Sequence, residues 1–163
     1  MLNASRGWFM QLDLTTNPTF LGNNNTYWSA ELQLATYRKA WRGAIIAGEL
    51  HTRQSTGQVP WPMLADVGSS NRMRGYYEGR YRDKNVIDAQ VELRQHIWHR
   101  NGIVLWLGAA EVFPRYSDMR FSRILPNAGV GYRWQFKKGV NVRLDYGFSR
   151  NGTGFIFNIN EAF

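Results

Sequence analysis

Apolar and polar residues take turns along most of this chain. In "GWFMQLDLTTN", Trp8, Met10, Leu12 and Leu14 fall on one side and Gln11, Asp13 and Thr15 on the other. The same two-residue period sets Trp28, Ala30, Leu32 and Leu34 against Ser29, Glu31 and Gln33. It sets Ile46, Gly48 and Leu50 against Glu49, His51 and Arg53, then Ile87, Ala89, Val91 and Leu93 against Asp88, Gln90, Glu92 and Arg94. Further on, Val130, Tyr132, Trp134 and Phe136 oppose Gly129, Gly131, Arg133 and Gln135, and Val142, Leu144, Tyr146 and Phe148 oppose Arg143, Asp145 and Gly147. The last such segment sets Phe155, Phe157, Ile159 and Phe163 against Asn158 and Asn160. "IVLWLGAAEVF" is apolar on both sides, so its orientation stays open. Successive side chains of a strand point to opposite faces, so the pattern predicts eight antiparallel strands and no helix, an all-β chain.

The breaks between these segments are unequal. A change of pattern at 41–43, "RNG" at 100–102 and "KKG" at 137–139 read as tight hairpins, Asn-Gly supplying two residues that tolerate positive φ. Longer connections fall near 17–25, 54–85 and 114–123, while "RNG" at 150–152 is again tight. The longest contains "RMRGYYEGRYRDKN", with Arg72, Arg74, Arg80, Arg82 and Lys84 among tyrosines and glycines and no regular period. Short turns at one end and long loops at the other are expected of outer-membrane barrels. If the chain starts outside, the turns at 41–43, 100–102 and 137–139 fall on the periplasmic side and the loops outside.

The 163 residues suffice for one domain spanning 1–163. Cysteine is absent, which excludes disulfides and thiolate metal sites. A net charge of +8 leaves nucleic acid, anionic lipid or a solvated surface open. There are 7 Trp, 8 Tyr, 9 Phe and 16 Gly, which suit sheets whose outer surface meets something apolar. No apolar run is long enough for a membrane helix, but a spanning strand needs only about 9–11 residues, every second one apolar. A mean hydropathy of -0.45 is therefore compatible with a barrel. The start "MLNASRGW" does not read as a signal peptide. The expectation is that a signal has been removed or that the chain is a piece of something longer.

A soluble β-sandwich would also alternate. Two features favour a membrane barrel instead. The polar side carries charges of both signs, namely Glu31, Glu49, Arg53, Asp88, Glu92, Arg94, Arg133, Arg143 and Asp145. Aromatics gather at strand ends, at Trp8, Tyr27, Trp28, Trp41, Trp98, Trp134, Tyr146 and Phe163, as in the girdles of lipid-facing barrels. The reading is an antiparallel transmembrane β-barrel, apolar towards lipid, with Glu49, Arg94, Arg133, Arg143 and Asp145 as luminal charges.

Catalytic and ligand signals are weak. His96 and His99 lie three apart on a strand and so face opposite ways, which argues against a zinc pair. "GVGYRW" is followed by no helix and is not a phosphate cradle. Glu78 and Asp83 interrupt the basic loop, and no nucleic-acid-binding fold surrounds it. No enzyme, metal, cofactor or nucleic-acid partner is expected. The alternatives carried are a small lipid-modifying barrel enzyme with His51 or His96 as base, and a passive pore or anchor barrel.

"MRGYYEGRYRDKN", then "AQVELRQHIW", "LWLGAAEVF" and "VRLDYGFSRNGTGFIFNINEAF", resemble the barrel of the BamA/TamA surface-antigen superfamily of outer-membrane assembly and translocation proteins. The resemblance implies alignment with the last eight strands of a sixteen-stranded barrel, the "RGY" loop being the sixth outer loop. In that family the loop folds into the lumen and its arginine pairs with acidic groups of the wall. That makes Arg74, Gly75 and Tyr76 the loop motif, with Glu92 as the favoured partner of Arg74. The family's usual Asp falls at Gly108 and its Gly at Ala110, with Glu111 off register, so the usual tether is partly missing. "FIFNINEAF", with Phe155, Phe157 and Phe163, resembles the terminal signal by which barrel proteins are recognised. The implied role is insertion or translocation of proteins at the outer membrane of a Gram-negative-type bacterium. The implied partners are membrane lipid and client outer-membrane proteins. Eight strands closed on themselves leave room only for side chains. The half-barrel must therefore pair with a second copy, be joined by a missing N-terminal half, or close as a small barrel with the loop displaced outward. The last is favoured because one molecule then satisfies both edges.

Overall fold

The protein is described by a computed structural model covering residues 4–19, 22, 25–137 and 140–159. Phe163, and the part of the terminal motif after Ile159, lie outside the described residues. Among the described residues ten strands occur in chain order: β1 (Gly7–Asn17), β2 (Tyr27–Lys39), β3 (Ala44–Gly57), β4 (Ala65–Val67), β5 (Tyr81–Asp83), β6 (Asn85–Trp98), β7 (Asn101–Phe113), β8 (Leu125–Lys137), β9 (Val140–Ser149) and β10 (Gly152–Ile159). Eight form one antiparallel sheet in the order β1-β2-β3-β6-β7-β8-β9-β10. The remaining two, β4 and β5, pair with each other inside the long loop, which sequence periodicity alone did not resolve because each has only three residues.

Hairpin register fixes which residues share a face. Glu31 opposes Arg53, Glu49 opposes Gln90, and Arg133 opposes Arg143, so the polar positions of neighbouring strands line up on one side. That side is shielded: Glu49, His51, Asp88, Gln90, Glu92, Arg94, Arg133, Arg143 and Asp145 are all buried. The other side carries Met10, Leu12, Leu50, Val91, Leu105, Leu107, Val130, Phe155 and Phe157, all exposed. A water-soluble sandwich would bury the second set against another layer, and no such layer covers it among the described residues. The ambiguous segment resolves as β7 with Val104, Trp106 and Ala110 inward and Ile103, Leu105 and Leu107 outward.

Four expectations change. First, Gly7 opposes Tyr37, so β1 begins at the short-turn end rather than at the loop end, and the conditional orientation above is reversed at its start. Second, the turn after β6 is His99–Arg100, with positive φ at His99, while Asn101 and Gly102 already belong to β7. A register shift between His96 and Trp98 takes up a residue, which moves the turn ahead of the Asn-Gly pair. Third, Tyr27 is buried on the inner face, unlike its neighbour Trp28, which is exposed. Fourth, among the described residues no ladder joins β1 to β10, and the long loop lies against the inner face instead of being displaced outward. An open sheet leaves the inner face wide enough to seat it, as a closed eight-stranded barrel would not.

The loop has its own apolar foothold. Ala65, Val67, Met73 and Tyr76 pack with Val86, Ala110 and Leu125 of the wall, flanked by Tyr81 and Val112. This places the loop over β6, β7 and β8, and it brings the Arg72–Tyr76 segment down to the charged positions.

Candidate functional site

The site is built where the loop meets the inner wall. Backbone conformation aims Arg74: Met73 has φ 50 and Gly75 has φ 102, both in the left-handed region that is costly for a residue bearing Cβ. Arg74 has no solvent exposure. Its Nη1 donates to Asp145 Oδ2 on β9 at 2.7 Å, and its Nη2 donates to Glu92 Oε1 on β6. The guanidinium lies over the Trp106 ring of β7, 3.7 Å from its centroid. A planar fork suits this position, because two nitrogens reach two carboxylates while the flat face stacks on the indole.

The carboxylates are shared. Arg94 reaches Glu92 at 2.9 Å, Arg133 pairs with Asp145, and Arg143 Nε lies 3.4 Å from Asp145 Oδ2. Four arginines thus surround two acids. A buried network of this kind holds together only while each charge keeps a partner. The loop backbone contributes too, since Arg143 donates to the Ser70 carbonyl and, at 3.2 Å, to Asn71 Oδ1. Asn127 Nδ2 donates to the Arg74 carbonyl at 2.8 Å, Ser149 Oγ to that of Gly75 at 3.0 Å, and the Tyr76 hydroxyl to that of Pro126 at 2.7 Å. Arg74, Gly75, Tyr76 and Glu92 are therefore brought together, with Arg94, Arg133, Arg143 and Asp145 around them. Glu49 stands apart, accepting from Gln33 and, at 2.7 Å, from Gln90. Phe155 and Phe157 are exposed on the outer face.

Glycines make room for this contact. A Cβ on Gly147 would sit 2.4 Å from the Arg74 carbonyl oxygen, and one on Gly129 would sit 2.1 Å from the Trp106 ring. Gly108, where the resemblance leads one to look for an aspartate, would place its Cβ 2.5 Å from Asn127 Oδ1. The space is already taken by the asparagine that holds the Arg74 carbonyl, and Asp145 supplies the second carboxylate from another strand. Glu111 accepts the Arg120 amide at 2.7 Å and so pins the next loop rather than Arg74. Sequence reasoning missed Trp106, Asn127 and Gly147 as parts of the site, and it placed Asp145 in the lumen without pairing it to Arg74. The available signal was the glycine at 147, two residues beyond Asp145 on the polar side, since glycine inside a strand marks close backbone approach.

A second cluster lies on β2, β3 and β6. His51 Nδ1 is 2.6 Å from Asp88 Oδ2 and its Nε2 is 2.9 Å from Glu31 Oε1. Arg72 approaches Glu31 at 3.9 Å and Asp88 at 4.0 Å. Both ring nitrogens of His51 are engaged by carboxylates. His96 is exposed and its Nε2 donates to the His99 carbonyl at 2.8 Å. Among the described residues no group of three or more His, Asp or Glu side chains has a geometry to hold a metal ion.

No family model and no curated protein matches this chain. A solved structure does: the crystal structure of BamA from Haemophilus ducreyi lacking POTRA domains 1–3, with a TM-score of 0.71 and 15% identity. The match covers 94% of this chain and 37% of that one, so the chain spans little more than a third of the length of the protein it resembles. At that identity the likeness speaks for architecture, and the chain accordingly has the fold of a BamA-like β-barrel sheet.

Proposed function

We propose that the chain is an outer-membrane β-barrel wall of the BamA/TamA type that takes part in inserting or translocating proteins. The observation that carries the reading is the inverted sheet: Leu107 is 69% exposed on one face while Glu92 and Asp145 on the other have no exposure. Such a sheet is stable where the medium outside is hydrocarbon and the charges are enclosed. Strands of 10–14 residues, from β9 to β3 and β6, are long enough to cross about 30 Å of hydrocarbon when tilted. The role is mechanical rather than catalytic. Among the described residues β1 and β10 lie at the two edges of the sheet, and a client strand adds to such an edge by main-chain hydrogen bonding. The docked loop braces the wall while this happens.

The edges must be closed by further strands, from a second copy or from a longer chain, since hydrocarbon tolerates no raw edge. The detergent-corrected mass of the solubilised particle separates these cases. The role itself is tested by placing single cysteines along β1, at Leu12 and Thr15, and crosslinking them to a substrate barrel protein during its assembly in vesicles. Crosslinks in register along the edge are expected. Their absence, with assembly unchanged when the chain is omitted, refutes the reading, and a chain that stays monodisperse in water without detergent refutes its membrane premise.

A further inference from the structure

The short-turn end of the sheet carries a charge pattern that the loop site does not use. Arg6, Arg38, Lys39, Arg42, Arg100 and Lys137 are exposed there, and no Asp or Glu joins them among the described residues of that rim. Beside them stand Trp8, Trp41, Trp98, Trp134 and Phe136, all exposed. The turns touch, making one belt: the His96 amide donates to the Gly43 carbonyl at 2.8 Å, and the Gln135 amide to the Arg100 carbonyl at 2.7 Å. The opposite end is different in kind. There Asp66, Glu78, Asp83 and Asp118 alternate with the arginines, and Arg82 pairs with Asp66 at 3.3 Å.

We infer that this rim binds anionic phospholipid headgroups in the leaflet it meets. The inference rests on the membrane reading above and adds the chemistry of one leaflet. Indole rings settle at the boundary between hydrocarbon and headgroups, which fixes the depth of the cations beside them at the level of the lipid phosphates. Lysine and arginine stems lie along apolar surface while their heads reach outward, so they can meet those phosphates without leaving the wall. With no acid among the described residues of the belt to neutralise them, the compensating charge comes from the lipid, and each basic residue near an anionic surface strengthens association by about fivefold. A zwitterionic headgroup supplies no net charge and leaves the belt uncompensated.

The test uses the full chain reconstituted into two bilayers, pure phosphatidylcholine and the same lipid with a minority of phosphatidylglycerol. Insertion is scored in both, and spin-labelled phosphatidylglycerol is compared with spin-labelled phosphatidylcholine for association with the inserted protein. The expected result is insertion in both bilayers with about fivefold or greater preference for phosphatidylglycerol, weakened by salt. The triple variant Lys39→Gln, Arg42→Gln, Arg100→Gln should lower the preference severalfold, with Arg6, Arg38 and Lys137 keeping it above one. A triple variant at the loop end, Arg80→Gln, Arg115→Gln, Arg120→Gln, should leave it intact. Insertion without preference overturns the inference and leaves the membrane reading standing. Equal loss in the two triple variants shows a response to net charge alone and overturns the site. Failure to insert in either bilayer overturns both.

Discussion

Removing the Arg74 side chain should release the loop, and the charge arrangement around it predicts how strongly. Arg74→Ala breaks two buried ion pairs, with Glu92 and Asp145, and a stack on Trp106. Taking one partner from a buried pair costs about 3–5 kcal/mol, and a desolvated cation–π contact adds about 2 kcal/mol or more. Two facts lower the total. Glu92 keeps Arg94 and Asp145 keeps Arg133, so neither acid is left bare. The cluster also holds four arginines to two acids, so losing one relieves repulsion among the rest. The lower end is therefore expected, about 3 kcal/mol, or roughly a hundredfold rise in the undocked population. Glu92→Gln works the other way: it leaves all four arginines with Asp145 as the remaining acid, and it should cost more, about 4–5 kcal/mol. The chain has no cysteine, so Met73→Cys, at a loop position 1% exposed that faces the wall, gives a clean reporter. Its maleimide-labelling rate tracks undocking when opening and closing are fast. Arg74→Ala in that background should label faster, and Glu92→Gln faster still. Unchanged labelling in Arg74→Ala, or the reverse order of the two variants, refutes the charge reasoning.

Three other outcomes follow from the same geometry. Gly147→Ala puts a Cβ 2.4 Å from the Arg74 carbonyl oxygen, against backbone that cannot swing away, so it should undock the loop with every charge still present. Overpacking of this kind costs about 1–3 kcal/mol, read by the same labelling assay. Gly108→Asp should destabilise the wall because of Asn127 Oδ1 at 2.5 Å, whereas Gly108→Asp with Asn127→Gly should recover part of the loss in a denaturant titration. Leu107→Lys, on the exposed apolar face, should cost about 2–4 kcal/mol for unfolding from lipid vesicles. A surface site in water would change by no more than about 0.5 kcal/mol, and such a small value would count against burial in hydrocarbon.

The eight strands of the main sheet, and the faces of all but β7, were legible because a period of two leaves only two options and charges such as Glu92 and Arg143 mark the enclosed side; β4 and β5, of three residues each, show no period. The turn at His99 was not legible, since the register shift before Trp98 is set by tertiary pairing and leaves no mark on the Asn-Gly pair. Orientation of "IVLWLGAAEVF" was hidden for a different reason. Trp106 is apolar in type yet serves on the charged face, as the surface on which a guanidinium stacks. Asp145 was visible as an inward charge, but its pairing with Arg74 joins residues 71 apart, and nothing local encodes that. Gly108 was read as a gap in the tether. The structure shows the gap filled from β8 by Asn127 and from β9 by Asp145, a substitution across strands that a single segment cannot announce.

The path of the loop across the sheet has a mechanical consequence. Arg72 reaches towards Glu31 on β2, while Gly75 lies against Gly147 on β9 and Gly154 on β10. The segment therefore runs like the string of a bow, from near one limb to the other, and the eight hydrogen-bonded strands form the arc. Ladders alone leave such an arc free to flex, whereas a taut string sets the spacing of its tips. Anything that slackens the string at Arg74 must change the gap between β1 and β10. By thermodynamic reciprocity, whatever spans that gap must in turn pull on Arg74.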